Sequence, residues 1–140
     1  MTFVMNAKKA ELPVLTRAES EVLQALWTLG EGTVQQLLEQ MGKQVAYTTV
    51  LTLVRILEQK GYVDHIANPA GGRAHLFRPK VDSAKARRRH VRDLVDRLFG
   101  GQAESLVARL IEDESLSRED LETLREKIDE RLENAPRRKR

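Results

Sequence analysis

The stretch AYTTVLTLVRILEQKG, residues 46–61, constrains this chain more than any other part of it. Its apolar residues Val50, Leu53, Val54 and Leu57 recur at i, i+3, i+4 and i+7, the spacing of one buried stripe on an α-helix. The opposite face carries Thr48, Thr52, Arg55 and Gln59, all able to donate hydrogen bonds and none negatively charged. With Thr49, three threonines fall within five positions, which helix propensity does not favour because β-branching costs χ1 freedom. A short, uncharged or cationic face of this kind suits the DNA major groove, where side chains meet base edges. An ordinary amphipathic helix with a solvated Thr/Gln face has the same pattern, so the flanking segments have to decide.

Upstream, Thr16 followed by Glu19 fits a capping box, and Val22, Leu23, Leu26, Trp27 and Leu29 give the helix behind it an apolar stripe. Gly30 is placed to end that helix in the left-handed region. Thr33 with Gln36 repeats the capping signal for a second, short helix with Val34, Leu37, Leu38 and Met41 inside, ended by Gly42. The Ala46–Gly61 helix follows after only a few residues, which puts helices two and three in a helix-turn-helix relation. After Gly61 the period changes. Tyr62–Ala67 and Ala74–Arg78 read as short strands around the turn formers Asn68-Pro69-Ala70-Gly71-Gly72. A hairpin directly behind a third helix predicts a winged helix. Arg73 beside the glycine-rich tip points to phosphate contact, against the plainer reading of a hairpin with solvated charges.

Pro79 closes this unit, and Ser83 is placed to cap a new helix with Val91, Leu94, Val95 and Leu98 on its apolar side. Beyond Gly100-Gly101, a second helix carries Ala103, Leu106, Val107, Leu110 and Ile111. A last one, starting at Ser117, carries Leu121, Leu124, Ile128 and Leu132. Three apolar stripes in so short a segment are marginal for independent folding. Burying the surplus against a second copy is the simplest remedy, and packing back onto the winged domain is the alternative. The dimer core is therefore expected to use Val95, Leu98, Leu106, Val107, Leu110, Leu121, Leu124 and Ile128.

Net charge is +3, a mild bias toward anionic partners. Its distribution is uneven: Lys85, Arg87, Arg88, Arg89, Arg92 and Arg97 face only Asp93 and Asp96 between Ser83 and Arg97, and Arg137–Arg140 is wholly basic. Residues 1–82, however, hold nine Lys and Arg against eight Asp and Glu. DNA binding by that half then requires the cations to share one face; a protein-interaction module using the same exposed face, without specific DNA binding, is the competing reading.

Several chemistries are absent. No cysteine means no disulfide framework, thiolate metal site or Cys nucleophile. His65, His75 and His90 lack ligand spacing, so no metal is expected, and no cofactor motif is present: Gly71-Gly72 and Gly100-Gly101 lack the frame of a phosphate loop. Nothing singles out a nucleophile and base, so no enzyme is expected. With no apolar run of ~18 residues and no secretory signal, the expected location is cytoplasmic, without membrane insertion.

The runs TRAESEVLQALW, AYTTVLTLVRILEQKGYV and GRAHLFRPKVDSAKARR resemble the penicillinase-repressor (BlaI/MecI) family of bacterial winged-helix repressors. The later run LFGGQAESLVARLIEDESLSREDLETLREKI is similar to that family's C-terminal dimerisation segment, so the resemblance covers roughly residues 15–132. It implies a homodimer with interlocked C-terminal helices, bound to an inverted-repeat operator. It also implies derepression when a membrane-linked zinc-protease sensor, or a protease it activates, leads to cleavage in the C-terminal domain. Two departures stand out. Ile56 occupies the place before Leu57 where the family usually has Arg, and the pair Arg109-Leu110 matches the family's Asn-Phe cleavage bond. The missing cysteines argue against the copper-responsive branch.

These observations predict a mainly α fold with a small β-hairpin wing. Residues 1–14 form a flexible lead, 15–80 the winged-helix DNA-binding domain, 83–134 a helical dimerisation domain, and 135–140 a basic tail. Thr48, Thr49, Thr52 and Arg55 are expected in the major groove of double-stranded operator DNA. Arg73 is expected on backbone or minor groove, with Lys43, Arg78 and Lys85 on phosphates. Release is expected through proteolysis of, or partner binding to, the C-terminal domain, with Arg109-Leu110 the candidate bond.

Overall fold

A computed structural model describes residues 11–42 and 45–137. Its elements are α1 (Arg17–Leu29), α2 (Val34–Met41), α3 (Tyr47–Lys60), β1 (Val63–Ala67), β2 (His75–Pro79), α4 (Ser83–Leu98), α5 (Ala103–Ile111) and α6 (Arg118–Asn134). The chain divides into two compact units, Met1–Asp93 and Leu94–Arg140, with the boundary inside α4.

The helix starts follow local chemistry. At α1 the Thr16 hydroxyl accepts from the Glu19 amide while the Glu19 carboxylate accepts from the Thr16 amide, a complete capping box. Thr33 with Gln36 builds the same device at α2, and Ser117 with Asp120 at α6. Two expectations need correction. Asp82, not Ser83, caps α4: its Oδ1 accepts from the Lys85 amide at 2.8 Å, and Ser83 is already helical. Gly30 has φ 86° but ψ −45°, outside the left-handed helical well, although its amide still closes on the Leu26 carbonyl at 2.8 Å.

In the first unit, α1, α2 and α3 enclose a core of Val22, Leu23, Leu26, Val34, Leu37, Val50, Val54 and Leu57, joined by Tyr62, Val63, Phe77, Val81 and Ala86. Burying each large side chain contributes about 1.5–3 kcal/mol. The hairpin pairs Val63 with Pro79 through Ala67 with His75. Tyr62 precedes the strand: its amide reaches back to the Leu57 carbonyl at 3.0 Å, finishing α3 behind Gly61 (φ 91°). The loop between α1 and α2 adds a bridge that local sequence does not announce, with Gly32 and Phe77 exchanging backbone hydrogen bonds at 3.0 and 2.8 Å.

The start of the described chain is tied down. Lys60 Nζ donates to the Val14 carbonyl, Tyr62 Oη to that of Pro13 and Arg89 to that of Leu12, while the Leu15 amide donates to His90 Nε2 at 2.8 Å. Residues 11–14 are thus held on the first unit, and the rest of the expected lead lies outside the described residues. Because Arg89 and His90 make these bonds, the first unit extends past Lys80 into α4.

The second unit has a different character. Neither α5 nor α6 contains a buried residue. Leu98, Val107, Leu110, Ile111, Leu121, Ile128 and Leu132 are all exposed.

One ion pair inside the first unit makes stability pH-dependent. Lys60 Nζ lies 2.7 Å from Glu19 Oε1, with the carboxylate side chain only 6% exposed. Burial raises the Glu19 pKa, but the hydrogen bonds from Lys60 and the Thr16 amide, with the Lys60 charge, outweigh it and hold the group below its ordinary value. A depressed carboxylate contributes stability that is present above its unfolded pKa of 4.5 and is lost as pH falls through the lower folded value. Glu19→Gln keeps the capping box and removes the charge. Urea unfolding at pH 7 should show a loss of about 2–3 kcal/mol that narrows at pH 3. An equal gap at both pH values would refute the assignment.

Candidate nucleic-acid interface

Val50, Val54 and Leu57 are fully buried on the inner side of α3, so the outer side is set by the 3.6-residue period. Tyr47, Thr48, Thr49, Thr52, Arg55 and Gln59 are all exposed along it. Four of them, Thr48, Thr52, Arg55 and Gln59, fall at i, i+4, i+7 and i+11, one continuous face. No acidic side chain interrupts it. Glu58, the only acid of α3, is turned toward the wing, where its Oε2 accepts from His65 Nδ1 at 2.7 Å.

The wing tip is shaped by Asn68, whose side chain accepts from the Ala70 amide and whose carbonyl accepts from the Gly71 amide. Arg73 follows, exposed. His65 and His75 stack across the hairpin with ring centroids 4.2 Å apart and planes 11° apart, and Phe77 packs edge-on to His75 beneath them. Through Glu58 and His65, helix and wing are joined near the C-terminal end of α3. Toward the other end, a cleft of about 190 Å³ opens between them, with Val34, Leu51 and Phe77 inside and Tyr47, Arg55, Arg73 and His75 around it. Neither Arg55 nor Arg73 has an acidic partner among the described residues.

The remaining sequence-predicted residues lie in different settings. Arg78 reaches across the hairpin to Asp64, with Nε 3.2 Å from Oδ1 and Nη2 3.4 Å from Oδ2, so its guanidinium is partly engaged. Lys85 is exposed in the first turn of α4. Lys43 lies outside the described residues, as does the tail beyond Arg137. Of the expected dimer residues, Val95 is buried, Leu106 and Leu124 are half-buried, and Leu98, Val107, Leu110, Leu121 and Ile128 are exposed. Arg109, 77% exposed, lies 4.0 Å from Glu112 in α5. Sequence reasoning gave Tyr47 and Glu58 no role and weighed His65 and His75 only as metal ligands. Tyr47 does carry a signal, an aromatic at the first turn of the helix whose outer face is polar; the Glu58–His65 link is non-local and carries none.

Among the described residues, no three His, Asp or Glu side chains converge to hold a metal ion, and no helix is long and apolar enough to cross a membrane.

Comparison with known proteins bears on this geometry. The chain is 22% identical to the penicillinase repressor of Bacillus licheniformis over 86% of its own length and 93% of that protein. It is 25% identical to the methicillin resistance regulatory protein MecI of Staphylococcus aureus (strain N315), over 79% and 89% of the two chains. Among solved structures it is similar to a mutant MarR from E. coli complexed with operator DNA (TM-score 0.49, 20% identity, 84% of this chain and 76% of that one). It is also similar to the transcriptional regulator Tm0710 from Thermotoga maritima (TM-score 0.49, 23% identity, 82% and 72%). The penicillinase repressor family matches residues 15–130, nearly the whole chain. With that match spanning both the winged helix and the helices beyond it, the chain belongs to the penicillinase repressor family, a family of transcriptional regulators rather than enzymes.

Proposed function

We propose that this winged-helix transcriptional repressor acts as a homodimer on an inverted-repeat DNA operator. The observation that carries the reading is the outer face of α3, free of acid and lined by Thr48, Thr49, Thr52 and Arg55, with Arg73, which has no acidic partner among the described residues, beside it on the wing. Threonine hydroxyls and methyls with one guanidinium match the donor, acceptor and methyl pattern of base edges in the major groove. Arg73 takes backbone or minor groove. Lys85 serves as a phosphate contact that sets register without specifying sequence, and Arg78 can share its guanidinium between Asp64 and a phosphate. The modest +1 charge of the winged half is sufficient because Arg55 and Arg73 stand on one side and Arg78 and Asp64 offset each other.

Dimerisation rests on the second unit. Helices with no buried residue and a run of exposed leucines and isoleucines require a partner surface, and a second copy supplies one by symmetry. Release follows from the same placement. A cut at Arg109-Leu110 would separate α6 and the end of α5 from the remainder, lowering dimer affinity and leaving two weak binders on the operator; a partner occupying this segment would have the same effect. A membrane-linked sensor protease is the upstream regulator that this reading implies.

Three outcomes test it. Arg55→Ala should cost about 1–3 kcal/mol in operator binding and relax preference at one base pair, read by gel shift on an operator mutant series. A uniform loss on all sequences would move Arg55 to a phosphate, and a folded protein that binds no DNA would leave the protein-interaction module.

Leu110 and Ile128 are 51% and 47% exposed, so Leu110→Glu with Ile128→Glu leaves the protomer's fold alone. Sedimentation should then give a monomer, with operator affinity lower by about 10²–10⁴-fold. A dimer of unchanged affinity refutes the assignment.

With a tag at each end of the chain, blots of induced cells should show two fragments parting near Arg109, or a full-length repressor held by a partner. Full-length, unbound dimer throughout induction would overturn release through this segment.

A further inference from the structure

The cleft between α3 and the wing has a construction that DNA contact alone does not require. Its inner surface is apolar: Phe77 is 3% exposed, Val34 4%, and Leu51 is half-buried. Its rim is cationic and polar, with Arg55 from the recognition helix, Arg73 from the wing and Tyr47 from the first turn of α3. The walls are held in place. His75 is stacked on His65, which is bonded to Glu58, and Phe77 is bridged by its backbone to Gly32. A phosphodiester would engage the rim and leave the floor uncovered. A metal cation would meet two guanidiniums and no carboxylate.

We infer that this cleft is a binding site for a small organic carboxylate, its apolar body against Phe77, Leu51 and Val34 and its carboxylate paired with Arg55 and Arg73. Guanidinium and carboxylate form two parallel charge-assisted hydrogen bonds, the strongest pairing open to these side chains. The volume of about 190 Å³ lies below the ~300–1,000 Å³ of drug-sized sites, which restricts the ligand to a single small ring or a short chain. The inference deepens the DNA-binding reading and in part rests on it. Arg55 and Arg73 cannot serve an operator and a carboxylate at once, so occupancy of the cleft lowers operator affinity by competition. This is an input separate from cleavage in α5.

The test uses the full chain and three probes: phenylacetate, 2-phenylethanol (the same body without the charge) and inorganic phosphate (the charge without the body). Binding is read without DNA, from the ring NMR signals of Phe77 and Tyr47, and competition from operator gel shifts. Phenylacetate should shift both rings saturably, and the apparent operator Kd should rise in proportion to its concentration. Arg73→Gln should weaken phenylacetate about tenfold. Ala74→Leu, at an exposed wing position on the cleft wall, should block it by filling the space while both arginines remain. Phosphate shifting the rings as strongly as phenylacetate would overturn the proposal in favour of a phosphodiester seat. Equal binding of 2-phenylethanol would reduce the site to an apolar hole, and the absence of any saturable shift would remove it. Phenylacetate that binds yet leaves operator affinity unchanged would overturn the competition. Because the ring signals need no DNA, failure of the operator reading leaves the ligand arm decisive on its own.

Discussion

Three side chains on one helix face, Val50, Val54 and Leu57, are wholly removed from solvent in the core shared with α1 and α2. Their burial fixes the rotation of α3 about its axis, because any roll would expose one of them and bury a threonine or an arginine instead. Burying Arg55 without a partner would cost several kcal/mol, far more than a single misplaced methyl gains. The outward direction of Thr48, Thr52, Arg55 and Gln59 is therefore a consequence of packing, and it requires no contact of their own. The hairpin completes the arrangement. Gly61 ends the helix, Tyr62 turns the chain back, and Phe77 anchors β2 on the loop before α2, so that the wing stands beside the outer face of α3.

The C-terminal end of α3 is also where the first unit concentrates its polar bonding. Lys60 spans the Glu19 carboxylate and the Val14 carbonyl, Tyr62 holds Pro13, and His90 and Arg89 hold Leu15 and Leu12. Burial raises the Tyr62 phenol pKa, with Arg89 opposing and Glu19 adding to the shift, so the hydroxyl stays a donor to Pro13. Each of these groups is expensive to bury alone and acceptable once satisfied, and each satisfies a carbonyl or amide in the segment leading into α1. The first turn of α1, the last turn of α3 and the first half of α4 thereby share one set of hydrogen bonds.

The second unit is built differently. The ion pairs of Arg109 with Glu112 and Arg118 with Glu122 there are exposed and contribute little, and most of the large apolar side chains of α5 and α6 are exposed, with Leu106 and Leu124 half-buried. The protomer is thus held together in its first unit by core and buried polar bonds, while α5 and α6 leave large apolar side chains exposed.

How much of this could be read in advance depended on range. The capping boxes at Thr16 and Thr33, and the helix start at Ser117, lie within four residues of the groups they bond, and the stripe of α3 repeats within two turns, so local sequence determined them. The hairpin was legible from its turn residues, and the apolar stripes after Ser83 from their helical spacing. Ser83 misled because Asp82, one residue earlier, is an equally good cap, and only the backbone path selects between adjacent candidates. The Gly32–Phe77 bridge, the Glu58–His65 link, the engagement of Arg78 by Asp64 and the cleft beside Arg55 join residues separated by a turn, a hairpin or half a domain. No spacing rule reaches across those separations, because the energy deciding them comes from packing the whole core at once. The sequence by itself determined which residues α3 turns outward and which helices it stands among; tertiary structure decided which cations beside it have no acidic partner among the described residues and what space they enclose.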